Sequence, residues 1–172
     1  MEGIPTRWLE VDARLSNKMR VAERPGLLRR LSILLAHSGD SWFWLLGLGL
    51  LWVAGGEYWK WRAATLAMGV VLTALIVLTT KFLVRRQRPA GKWGGIYRAI
   101  DPHSFPSGHA ARAIMLAVLA IFIGPPWLAI VLILWAPLVS LARVAMGLHY
   151  FSDVLAGILF GLVIGLGISL TI

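Results

Sequence analysis

Residues 103–123 read HSFPSGHAARAIMLAVLAIFI. The first ten positions hold two histidines, two serines and an arginine; the last eleven are oily enough to sit in lipid. The run is closed by Gly124-Pro125-Pro126, a strong helix stop. The stretch therefore predicts a membrane helix from Ser107 to Ile123 with a polar, hydrogen-bonding cluster at its doorstep. The first N–H groups of such a helix have no internal partners, and its dipole end is positive, so it is suited to an anion. Pro106 fits because its missing donor costs nothing there, and Gly108 lets an oxyanion approach the backbone with no Cβ in the way.

The rest of the chain supports a membrane reading. Apolar residues make up 58% of the 172, above the half that soluble domains reach, and mean hydropathy is +0.75. Nine tryptophans are many for this length and favour the headgroup zone. The absence of cysteine excludes disulfides and thiolate metal sites. Net charge is +9, but the basic residues flank apolar runs, which points to anionic lipid headgroups or a phosphorylated lipid and away from nucleic acid. The first 26 residues are charged and carry no apolar segment of a cleavable signal.

Further spans are expected at 41–56, at about Arg62 to Val84, from Trp127 to about Met146, and from Ser152 to the end. Residues 27–36 are apolar but too short to cross alone. Residues 5–23 place Trp8, Val11, Leu15 and Met19 on one helical face, an amphipathic helix lying on the bilayer, broken by Pro25-Gly26. The fold class expected is all-α: a polytopic bundle of about five spans plus an interfacial N-terminal helix. Residues 1–172 form one domain, with 1–40 interfacial and 41–172 the bundle. Gly157, Gly161 and Gly165 make a flat stripe, for packing inside the bundle or for a dimer contact.

Five spans gather KFLVRRQRP (81–89), PSGH (106–109) and RVAMGLHYFSD (143–153) at one membrane surface. Lys81, Arg88 and Arg143 supply three cations, two of them able to fork onto phosphate oxygens. His149 and Asp153 are four apart, so the carboxylate can accept from one ring nitrogen and leave the other free to attack phosphorus. His109, from another helix, can protonate the leaving oxygen. The chemistry needs no metal or other cofactor, and one carboxylate is too few for a two-metal centre.

These residues, Lys81 with Arg88-Pro89, then Pro106-Ser107-Gly108-His109, then Arg143 with His149 and Asp153, resemble the signature of the type 2 phosphatidic acid phosphatases, membrane lipid-phosphate phosphatases related to vanadium haloperoxidases. The resemblance covers residues 41–172. It implies His149 as the nucleophile that forms a phosphohistidine, Asp153 as its orienting partner and His109 as general acid. It implies Lys81, Arg88, Ser107, Gly108 and Arg143 as the phosphate cradle. Two departures stand out. Ala142 replaces the usual Ser before Arg143, which implies one phosphate hydrogen bond fewer, and five spans replace the common six.

Other readings compete. A lipid-phosphate binder or flippase would need the cradle but not the His149–Asp153 pair. Arg85 and Arg86 read as headgroup anchors, and Asp101 and His103 as solvated loop. Asp40 reads as a helix cap, with His37 beside it. Trp93 and Tyr97 line the path of a lipid or float at the interface. Arg112 is either a second phosphate contact or a structural partner of an acid. All but Lys60 and Arg62 of the seventeen basic residues fall on the site side of this topology, which favours the cytoplasm for the site, whereas the resemblance, many of whose members work on the outer side, implies the opposite face.

Overall fold

The computed structural model describes residues 6–91 and 93–172; Pro5, where the expected amphipathic segment begins, lies outside them. Among the described residues eight helices follow in order: α1 (Thr6–Lys18), α2 (Leu27–Ser38), α3 (Ser41–Ala54), α4 (Glu57–Val84), α5 (Gly95–Ile100), α6 (Gly108–Ile123), α7 (Pro126–Ala145) and α8 (Phe151–Ser169). Three of them, α4, α7 and α8, are long and apolar enough to cross a bilayer; α3 and α6 are apolar but shorter. At about 1.5 Å per residue, α6 is about 24 Å long and α4 about 42 Å. The expected second span began at Arg62, but the helix starts at Glu57. A polar first turn, with Lys60 Nζ 2.7 Å from Glu57, extends it beyond the apolar run.

The helix α6 is the hub of the bundle. Ala110, Ala111, Met115, Leu116, Leu119 and Ala120 on it are fully buried, packed by α8, α7 and α4. Lipid offers no hydrophobic drive for helix association, so close backbone approach decides the packing. The glycine stripe provides it. A Cβ on Gly157 or Gly161 would run into the carbonyl oxygens of Ser107 and Ala111, and one on Gly165 would come within 2.8 Å of Val118 Cβ. The stripe is thus filled by α6 within the molecule. Of the two readings of the stripe, this is packing inside the bundle. Leu75 and Leu83 on α4, Ile130 and Leu134 on α7, and Leu159 and Val163 on α8 face outward, as lipid-facing side chains should.

Hydrogen bonds fix the two ends. At one end Arg62 Nε donates to the Ile123 carbonyl at 2.6 Å, joining the start of α4 to the end of α6. At the other, the Ser107 amide donates to the Asp153 carbonyl at 2.9 Å, joining the starts of α6 and α8. The three motif segments share this second end.

The N-terminal segment is docked on that end more tightly than a helix floating on lipid. Trp8, Val11 and Leu15 do face outward, but the opposite edge of α1 engages the start of α8. Asp12 Oδ1 accepts from the Ser152 amide at 3.0 Å, and Ser16 Oγ accepts from the Phe151 amide at 2.9 Å. Two of the unpaired N–H groups of α8 are satisfied by a helix about 140 residues away in sequence. Met19 leaves the outward face and packs against Ala110, Val144 and Val154. The Val21 amide donates to the Ala145 carbonyl at 2.8 Å, and α2 packs along α7.

Candidate active site

His149 sits in the turn between α7 and α8, where Gly147 takes a φ of 66° that side-chain-bearing residues rarely adopt. Its imidazole is 2% exposed. Nδ1 donates to the Ser104 carbonyl at 2.7 Å, and Nε2 lies 3.2 Å from Arg88 Nη1. Asp153 Oδ2 is 3.7 Å from Nδ1, too far for a hydrogen bond. This corrects the expectation that Asp153 is the direct partner of the ring. The reason is local: at the third position of α8 its carboxylate closes a capping box, accepting from the Tyr150 amide at 2.8 Å. It also accepts from Arg86 Nη1 at 2.6 Å.

Ser104 is itself pinned. Its amide donates to the Arg86 carbonyl at 2.8 Å and its hydroxyl to the Gln87 carbonyl at 3.1 Å. The loop after α4 therefore sets the oxygen that sets the imidazole. Burial pushes His149 down to about 3; Asp153 opposes this, and Arg88, Lys81 and Arg143 reinforce it. The ring is neutral near pH 7, with Nδ1 carrying the proton and the Nε2 lone pair accepting from Arg88 Nη1.

The cations converge on it. Lys81 Nζ, almost fully buried, donates to Asp101 Oδ2 and to the His103 carbonyl, both at 2.7 Å. Arg88 donates through Nε to the Asp101 carbonyl at 2.8 Å, through Nη2 to Asp101 Oδ2 at 2.9 Å, and through Nη1 to the Leu148 carbonyl at 2.8 Å. Burial lowers the Arg88 pKa, and Asp101 opposes that. Asp101, expected in solvated loop, is thus the carboxylate that bridges the first two cations. Arg143 is fully buried, donates to the Ala36 carbonyl at 3.2 Å and lies 4.6 Å from the Tyr97 ring centroid.

Lys81, Arg88, Gly108, His109, Arg143 and His149 all line one cavity of about 860 Å³, and Arg112 lies on its wall too. Arg112 Nη1 donates to the Gly39 carbonyl. The cavity also runs along Trp42, Val77, Leu78 and Ile100, an apolar side suited to a lipid chain. Ser107 is not on its wall: the residue is fully buried, and its Oγ caps α6 by accepting from the Ala110 amide at 3.5 Å. Ala142 also faces away, packed with Ala22, Ala36 and Met146 against α2. A hydroxyl at that position would point at α2 and not at the cavity.

His109, the second imidazole, has a partner that its sequence neighbours do not reveal. Nε2 is 2.7 Å from Asp40 Oδ1. Asp40 stands at the N-cap of α3, but its side chain makes no capping bond, which corrects the reading of it as a cap. Its oxygens accept from the Tyr97 hydroxyl at 2.9 and 3.0 Å, and that hydroxyl lies 2.7 Å from His37 Nδ1. Burial works to raise the Asp40 carboxyl, but His109, Tyr97 and His37 together hold it well below the usual carboxylate range. Burial pushes the Tyr97 phenol up to about 12; Arg143 opposes the shift and Asp40 adds to it. Tyr97 thus keeps its proton and donates it to Asp40.

Arg86, read as a headgroup anchor, belongs to the site's foundation. Besides Asp153 it reaches Asp12 Oδ2 at 2.7 Å and Ser152 Oγ at 2.7 Å, with its guanidinium 4.1 Å from the Tyr150 ring centroid. Burial works against its charge, but Asp12 and Asp153 more than offset that and hold its proton firmly. Arg85, by contrast, is exposed and bonds only the Phe82 carbonyl of its own helix, as an anchor would.

Residues 62–172 match the family model described as PAP2 superfamily. An undecaprenyl-diphosphatase of Sulfolobus acidocaldarius is 29% identical over 152 residues, covering 86% of this chain and 70% of that protein. A decaprenylphosphoryl-5-phosphoribose phosphatase of Mycobacterium tuberculosis is 32% identical over 163 residues, covering 91% and 86%. Among solved structures, a transmembrane PAP2-type phosphatidylglycerolphosphate phosphatase of Bacillus subtilis shares the fold, with a TM-score of 0.79 at 24% identity over 96% of this chain and 86% of that one.

Proposed function

The chain belongs to the PAP2 superfamily, and from that premise we propose that this multi-pass membrane phosphatase works by passing a phosphoryl group from a lipid to His149. The class of the activity is that of a membrane lipid-phosphate phosphatase. The observation that carries the mechanism is the state of His149. A neutral imidazole, with its Nδ1 proton held by a carbonyl, presents an unprotonated Nε2, beside Arg88 Nη1, to a cavity walled by cations.

In the first step Nε2 bonds to phosphorus while the bond from phosphorus to the lipid oxygen breaks. His109 gives its proton to that oxygen, so the lipid leaves neutral. Lys81, Arg88 and Arg143, with the amide at Gly108, stabilise charge on the three equatorial oxygens. The phosphorylated ring is cationic, and Asp153 at 3.7 Å balances it without taking its proton. In the second step water attacks phosphorus, His109 takes the water proton, and the N–P bond breaks. Inorganic phosphate leaves, and Nε2 regains its lone pair. Ser107 serves as the cap that sets the amide end of α6.

The substrate is a lipid phosphomonoester or diphosphate. Its headgroup sits among the cations, and its chain runs along Trp42, Leu78 and Ile100. Purified protein with excess EDTA should release inorganic phosphate from members of a panel of phosphatidyl and polyprenyl mono- and diphosphates. Binding of these lipids without phosphate release would turn the reading to a binder or flippase. Loss of release in EDTA, restored by a divalent ion, would end the metal-independent mechanism.

The site faces the cytoplasm in this reading, because Lys60 and Arg62 alone among the basic side chains of the described residues lie at the other end. The chain has no cysteine, so Arg24→Cys and Glu57→Cys, both at exposed positions, report the two ends. In intact cells an impermeant maleimide should label the second and spare the first; the reverse pattern places the site outside.

A further inference from the structure

The two imidazoles of the cavity are held from behind by different acceptors. His149 rests on a neutral carbonyl, that of Ser104 at 2.7 Å, whereas His109 rests on a carboxylate, that of Asp40 at 2.7 Å. A carbonyl fixes a tautomer and does little for a positive ring; a carboxylate fixes the ring and favours the imidazolium. Paired titratable groups whose surroundings differ in this way separate into base and acid roles. We infer that Asp40, held by Tyr97 and His37, is the positioning residue of the general acid His109. This rests on the reading of His109 given above.

The geometry is consistent along the whole chain. His37 Nδ1 donates to the Tyr97 oxygen at 2.7 Å, Tyr97 donates to Asp40 at 2.9 Å, and His109 Nε2 donates to Asp40 from the other side. Tyr97 and His109 donate to the carboxylate, and His37 donates to the hydroxyl that does so. The chain starts at an imidazole 52% exposed and ends at one 13% exposed. Among the described residues Nδ1 of His109 has no hydrogen-bond partner, which leaves it as the nitrogen that reaches the leaving oxygen.

The turn that carries Asp40 is built for this. Gly39 presses on the His109 ring: a Cβ there would lie 3.0 Å from His109 Cδ2 and 2.9 Å from Val139 Cγ1. Arg112, one turn after His109 on the same helix, donates to the Gly39 carbonyl and pins the turn to α6. Arg112 and Arg143 line the same cavity as His109.

The consequence is a dependence on leaving group. An alkoxide must be protonated as it leaves, whereas a nitrophenolate need not be. Asp40→Asn keeps the size of the side chain and an acceptor oxygen but replaces the anion by a neutral amide. In the full chain in detergent it should lower kcat for an alkyl lipid phosphate by about 100-fold, leaving KM within about 3-fold. On 4-nitrophenyl phosphate kcat should stay within about 3-fold of the parent. Tyr97→Phe, which keeps Asp40 and removes its donor, should show the same bias at a smaller size, and it decides the matter if Asp40→Asn does not fold. Equal losses on both substrates, or none on either, overturn the assignment. His149→Ala should abolish turnover of both substrates alike. If it does not, the phosphohistidine reading fails, independently of the bias at Asp40.

Discussion

His149→Ala is expected to lower kcat/KM for a lipid phosphate by about 10⁴-fold or more while leaving affinity for the substrate nearly intact. Four decades correspond to about 5.5 kcal/mol of lost transition-state stabilisation. The size follows from the kind of loss. The variant removes the atom that bonds to phosphorus. Lys81, Arg88 and Arg143 are untouched by the change, so the cavity still holds the phosphate and KM moves little. Acid-labile label on the protein, trapped by quenching with a ³²P-labelled lipid phosphate, should be present in the parent and absent in the variant. A variant with a tenth of parental activity, or one that still traps label, would remove His149 from the centre of the mechanism.

The apolar architecture was largely legible because lipid imposes a coarse code: long oily runs, closed by Gly-Gly or Gly-Pro-Pro, each became a helix. The boundary at Glu57 was missed because a polar first turn continues the helix past the apolar stretch that marks it. At the site, His109, His149 and the cations Lys81, Arg88 and Arg143 were identified from residue type and spacing, and one cavity collects them. Their partners were not. The acceptor behind His149 is a backbone carbonyl, which no side-chain pattern can encode. Asp40 and His109 are 69 positions apart on different helices, and Asp40 has a sufficient local explanation as a cap. Asp101 looked like loop because the buried Lys81 it pairs with lies 20 residues earlier, at the end of a helix. Two local rules act at once on Asp153, which stays 3.7 Å from the His149 ring. Its spacing of four from His149 suggested a dyad, while its place in the first turn of α8 drew the carboxylate to the backbone.

Arg86 shows how much of the active face depends on such hidden pairings. Arg86→Ala is expected to destabilise the protein by about 3–5 kcal/mol, the range for removing one partner of a buried ion cluster. Asp153 is fully buried and the Asp12 side chain is 12% exposed, so the variant leaves two carboxylates facing one another with no cation between them. The start of α8 loses its support, and α1 loses the bond that ties it to the loop after α4. The melting temperature in detergent should fall by roughly 10 °C, taking about 3 °C per kcal/mol for a chain of this size. Protease sites in α1 should open at the same time. Arg85→Ala, one residue earlier, removes an exposed side chain bonded only within its own helix and should leave both measures nearly unchanged. Arg86→Lys should recover little, because one ammonium cannot fork between Asp12 and Asp153 as the two Nη atoms do. If Arg85→Ala and Arg86→Ala melt together, Arg86 is a surface anchor after all and α1 is held by its apolar face alone.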